Sequence, residues 1–253
     1  MGIAMAVGVV AFVLLAATIQ RIAGLGFGMI LAPFLVVLIG AHEGVMLVNF
    51  LSIIAPVLVL PRIWDDIEWR KVLWLGIPAV LVMPAAAWVS VVSPAGPLYV
   101  VVAALVLFGL ITSMLLSRIS SAVDGDGRTA QILTGLGSGV GTVLGGVGGP
   151  AMTIYAVVSR WPVMRMVATL QPLWILISAF SFGIKWAFDD GQMPDMPWWA
   201  WAGCVVSIVL GIWVGEWIQR RVDDATVRKF VIALAILGSL LALGTGIRLL
   251  IGT

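Results

Sequence analysis

The sequence is poor in the residues most protein chemistry is built from: it has one cysteine and one histidine in 253 residues, and only 10% of the chain is charged. A lone Cys204 excludes disulfide frameworks, CxxC redox pairs and thiolate zinc sites. Ordinary globular domains carry about 25% charged residues. With 10%, and with 62% of residues apolar, this chain has too few charges to cover the surface of a soluble fold. The net charge of +2 does not point to nucleic acid, because the basic residues are scattered at segment ends rather than gathered in one stripe. Nucleotide motifs of the GxxxxGK[ST] type are missing as well. No cofactor or metal is implied, and an intramembrane enzyme, which needs clustered His, Asp, Glu, Ser or Cys, is hard to assemble from one His and one Cys.

What the chain does have is long apolar runs and a mean hydropathy of +1.15. Runs near bilayer length recur throughout, so the fold class is an all-α polytopic membrane protein. Ten hydrophobic segments are expected, at about 3–20, 24–40, 45–60, 72–92, 98–116, 130–146, 149–159, 166–188, 198–217 and 230–250, giving eight to ten membrane segments. The first residues carry no Lys or Arg and no small-residue cleavage site, so a removable signal peptide is not expected. If each segment reverses direction, twelve of the fourteen basic residues fall on one side, and Lys185 and Arg248 on the other. The twelve-residue side is then cytoplasmic and both termini face out. Trp198 and Trp217 bracket one span as interface anchors.

The sequence also repeats. Pro33 falls over Pro150 at an offset of 117, with Gly24 over Gly141 and Gly28 over Gly145; further on Trp74 falls over Trp201, and Gly109 over Gly238 at 129. The expected organisation is a first membrane repeat at 1–117, a cytoplasmic connector at 118–129 and a second repeat at 130–253. Five segments per repeat is odd, so the copies are inverted. Inverted repeats with broken helices are a transporter architecture, binding substrate where the breaks meet near the midplane.

Each repeat has such a break. The first runs Gln20-Arg21-Ile22-Ala23-Gly24-Leu25-Gly26-Phe27-Gly28 and on to Pro33; the second is glycine-rich from Gly135 through Gly145, Gly146, Gly148 and Gly149 to Pro150. Pro150 suits the first turn of a short helix, which can run only to about Ser159 before Arg160-Trp161-Pro162. A half-helix aims unpaired N–H groups and its positive dipole end into the interior, ready for an anion. Close helix packing is the other reading of these glycines, and the better one for Gly211 and Gly215.

With those motifs in view, the sequence resembles the sulfite exporter TauE/SafE family, on Gly24-Leu25-Gly26-Phe27-Gly28 through Ala32-Pro33 and on Gly145-Gly146-Val147-Gly148-Gly149-Pro150. The resemblance implies a secondary transporter of sulfite, sulfonates or related organic anions in the bacterial inner membrane. Its partners are then a small anionic substrate, the lipid bilayer and a coupling ion, H+ or Na+. A channel or a membrane assembly factor remains the alternative, with the glycines serving packing alone.

Several side chains are candidates for that site. Arg21 is either an anion-binding guanidinium or an interfacial anchor, and Gln20 either donates to the same anion or caps the helix. Asn49 and Gln171 are amides able to hydrogen-bond an anion's oxygens or to join helices, and Thr169 is a weaker third. His42 and Glu43 are a proton-coupling pair or a solvated segment end. Glu216 is expected to be a snorkelling or arginine-paired carboxylate rather than a proton site, and Asp189 with Asp190 to be a loop pair rather than a metal site.

Overall fold

The computed structural model describes residues 2–23, 27–116, 126–188, 193–219, 221 and 224–252, without the side chains of 22, 23, 113, 219, 224–228 and 231. Among these residues the chain forms ten helices: α1 (Ile3–Ala23), α2 (Phe27–Ile39), α3 (Ala41–Val59), α4 (Trp69–Val92), α5 (Ala95–Leu116), α6 (Arg128–Gly145), α7 (Gly149–Val158), α8 (Val163–Phe188), α9 (Trp198–Gln219) and α10 (Asp224–Ile251). Two 3-10 turns, Leu60–Arg62 and Trp64–Asp66, join α3 to α4. Every apolar segment expected from the sequence is a helix.

Among the described residues, seven helices are long and apolar enough to cross a membrane. Their outward faces carry large apolar side chains, among them Leu81, Trp88 and Trp213. In water such a surface would aggregate; in lipid it is matched to its solvent. Trp198 and Trp217, near opposite ends of α9, are among the exposed ones. By contrast α2 and α7 are too short to span, at 13 and 10 residues. α2 is buried on most of its circumference, from Phe27 and Ile30 to Leu35 and Val36, as expected of a helix apolar all round.

The helices pair in a crossed pattern. α1 lies along α9 and α6 along α4; α2 contacts α10 and α7 contacts α5; α3 packs on α8 and α5 on α10. Exchanging α1–α5 with α6–α10 maps each of these pairings onto another or onto itself. The details repeat too. A Cβ at Gly109 would lie 2.5 Å from Pro150 Cγ, and one at Gly238 would lie 3.0 Å from Pro33 Cγ. These four residues are the two pairs aligned in the sequence, each proline seated on the glycine of the opposite half.

The apolar interior divides into two main clusters. One joins α1, α2, α3, α5, α9 and α10, through residues such as Val13, Leu31, Leu47, Val106 and Ile208. The other joins α4, α6, α7 and α8, through Leu75, Val143, Met152 and Leu173. The break between α6 and α7 falls on the seam between them.

Candidate functional site

The start of α2 and the break between α6 and α7 converge on that seam. The α6 helix ends at Gly146, whose backbone is left-handed at φ +67° and whose N–H donates to Thr142 O; Val147 N–H then reaches back to Gly141 O. This is the glycine termination that satisfies the last carbonyls of a helix, and it requires a residue without Cβ. Three residues later Gly149 and Pro150 start α7, as the sequence indicated. α2 starts at Phe27, and a Cβ on Gly28 would collide with the carbonyl oxygen of Gly146. The first turn of α2 and the α6–α7 break are therefore in direct contact.

Beside that contact lies a cavity of about 110 Å³. Its wall takes Phe27, Gly28 and Met29 from the start of α2, and Gly146 to Gly149 from the break and the start of α7. The N–H groups in the first turn of a helix have no acceptor within it. The start of α7 brings such groups, at a positive dipole end, to this space, and Phe27 to Met29 at the start of α2 line it beside them. The remaining polar wall is uncharged: Gln20, Asn49, Ser52, Thr142, Thr153, Gln171 and Ser178, with Trp174 as the aromatic surface.

Several of these groups are already engaged. Asn49, 1% exposed, donates from Nδ2 to Ser181 Oγ at 2.8 Å and to Thr142 O at 3.3 Å, joining α3, α6 and α8 at the cavity edge. The hydroxyls of Ser52, Thr142 and Thr153 donate to Val48 O, Ser138 O and Gly149 O one turn back, and Gln171 donates to Val167 O. The hydrogens of these hydroxyls and both Asn49 N–H groups are committed within the protein, so the wall's donor capacity for an anion comes chiefly from helix starts.

Of the residues singled out in the sequence, Gln20, Gly28, Asn49, Gly146, Gly148, Gly149 and Gln171 border this cavity. Others lie elsewhere. Arg21 points to the far side of α1, its Nη2 2.8 Å from Glu216 on α9. Pro33 and Pro150 sit against Gly238 and Gly109, and Gly145 against Leu105. Thr169 is buried and accepts the backbone N–H of Glu68 at 3.0 Å. His42 and Glu43 are half-buried in the first turn of α3, outside the cavity wall. Gly24 and Gly26, like Asp189 and Asp190, fall outside the described residues.

The sequence reading passed over Ser52, Thr142, Thr153, Trp174 and Ser178. It also counted Lys185 among the charges of an outer connection, whereas that residue is 1% exposed inside the last turn of α8. A second, apolar cavity of about 230 Å³ between α7 and α8 shares Gly149, Thr153 and Trp174 with the first.

The sequence model of the sulfite exporter TauE/SafE family matches residues 9–242, nearly the whole chain, so the protein belongs to that family. Membership makes it a membrane transport protein of the sulfur-anion class. No curated protein and no solved structure matches the chain.

Proposed function

We propose, with family membership as the premise, that this chain is a secondary transporter that carries a small sulfur oxyanion, sulfite or an organic sulfonate, through the cavity between its two helix breaks. The observation that carries this reading is the convergence of the α2 and α7 N-termini on one space with an uncharged, hydrogen-bonding wall. Substrate contacts are assigned to Gln20, Gly28, Asn49, Gln171 and the backbone from Gly146 to Gly149. The halves 1–117 and 130–253 are inverted copies, a proposal that the crossed pairing of helices supports. Transport proceeds by alternating access in the bacterial inner membrane with both termini outside, driven by an ion gradient or the membrane potential.

Purified protein is first heated with sulfite, sulfonates, carboxylates and sulfate. A ligand at about 100 times its Kd stabilises the folded state by about 2.7 kcal/mol, and one anion class is expected to raise Tm accordingly. Gly149→Val is the matching variant. A Cβ at Gly149 meets nothing within 4 Å, so the first atom of a side chain added there enters open space at the cavity wall. Unliganded Tm is expected to hold while ligand stabilisation and reconstituted flux are lost; full flux in this variant overturns the assignment of the site. Gly148 cannot serve, because a Cβ there would strike Thr142 Oγ1 and Ser138.

A further inference from the structure

One face of α8 carries Gln171, Trp174, Ser178, Ser181 and Lys185, at spacings of three and four residues that stack them in a single line. The first three border the cavity, and Ser181 accepts from Asn49 at its edge. Lys185 comes one turn later, at the same helical phase. Side chains on a helix lean toward its N-terminus, so the lysine stem runs back toward Ser181. Its ammonium donates to Ser90 Oγ on α4 at 3.1 Å and to Val143 O on α6 at 3.2 Å. The neighbouring carbonyl, Thr142 O, takes the Asn49 amide. Both Asn49 and Thr142 border the cavity, so the ammonium bonds to the carbonyl next in sequence to one in the cavity wall.

An ionisable side chain within a membrane span is costly and marks function more often than structure. Among the described residues the cavity wall carries no charge, yet an anion entering it gives up much of its hydration. A cation held several ångströms away in a low-dielectric interior still acts strongly on it. Resting on the transport reading above, we infer that Lys185 is the residue that makes the cavity select anions: it supplies positive potential from behind the Asn49–Ser181 layer without touching the substrate. The competing role is a purely structural one, a cation clamping the C-terminal carbonyls of α6. The two roles differ in how they respond to ligand charge. A potential acts twice as strongly on a doubly charged anion as on a singly charged one; a structural clamp does not distinguish them.

The experiment uses the full chain in detergent and two ligands: sulfite, doubly charged at mildly alkaline pH, and methanesulfonate, singly charged. Lys185→Gln keeps hydrogen-bond donors for Ser90 and Val143 but removes the charge. It is expected to weaken methanesulfonate binding about tenfold and sulfite binding about a hundredfold, because each ligand charge meets the same lost potential. Lys185→Arg is expected to keep both affinities, and Lys185→Met provides a second neutral variant should Lys185→Gln fold poorly. Unchanged affinities, or equal losses for both ligands with a lowered Tm, overturn the inference. Misfolding of both neutral variants beside a folded Lys185→Arg also overturns it, assigning the lysine to structure. A wild-type protein that binds neither ligand instead overturns the transport reading, and this inference with it.

Discussion

At the scale of single residues, the charged groups at the start of α4 show how ionic chemistry is handled outside the spans. Lys71 lies 3.2 Å from Asp126 Oδ1 and stacks its ammonium 4.5 Å from the Trp161 ring centroid. Asp126 also accepts from the Tyr155 hydroxyl and the Gln131 amide, while Glu68 takes the Trp161 indole N–H. This cluster ties the beginnings of α4 and α6 to the far end of α7. Partial burial pushes the Asp126 carboxyl up, but hydrogen bonds from Tyr155 and Lys71, the Lys71 charge and Gln131 outweigh it and hold the pKa below its ordinary value. A carboxylate depressed on folding stabilises the protein fully above its unfolded pKa and loses that contribution as pH falls through the folded value. Since Asp126 is half exposed, solvent screens the effect and it is modest. Tm is therefore expected to drop as the pH is taken below the carboxylate range, and Asp126→Asn should flatten part of that drop while costing Tm at neutral pH. Thermal melts across that range check it; identical profiles for variant and wild type would show that the cluster contributes nothing. Lys185 illustrates what residue-level sequence reading misses. Counting charges by side treats every lysine near a segment end as a surface marker, and only the line Gln171, Ser178, Ser181, Lys185 at helical spacing signals an inward face.

At the scale of elements, the α6–α7 break was legible because glycine and proline leave few backbone alternatives. Pro150 lacks the N–H that a first helical turn leaves unpaired, and α7 begins where that argument placed it. Pro33 aligns with Pro150, yet it sits six residues inside α2 rather than at its start. The aligned prolines therefore do not share a helix-starting role. What they share is a partner: Gly109 receives Pro150, and Gly238 receives Pro33. Such a contact joins residues more than 40 positions apart in one case and over 200 in the other, so no local pattern reports it. If these contacts seat the two short helices equivalently, Gly109→Ala and Gly238→Ala should have like effects. Each adds a methyl against a ring with little room, an overpacking worth about 1–3 kcal/mol. Thermal melts of the single variants are expected to show comparable losses, and a large loss in one beside none in the other would break the equivalence of the halves.

For the whole molecule, orientation and motion follow from the same division. A cytoplasm-active reporter fused after Arg220 should give signal and one fused after Asp190 should not; the reverse result would turn the protein over in the membrane. The candidate site lies on the seam between two apolar clusters, so the proposed alternating access would amount to movement of α4, α6, α7 and α8 against the rest. Close-packed interiors move as bodies rather than deforming internally, and sliding is then concentrated where α3 meets α8. Phe50 of α3 and Phe182 of α8 mark that contact, with ring centroids 5.5 Å apart, and neither borders the cavity. Replacing both with cysteine in a Cys204→Ser background gives a protein whose only two thiols face each other across the seam. Uncross-linked, it should transport; bridged by a short bismaleimide, it should still be stabilised by the anion but lose flux. Both properties separate a moving carrier from a fixed channel. A channel holds one open path and would keep its flux with the seam bridged, so undiminished transport after complete cross-linking would remove alternating access from the account while leaving the anion site in place.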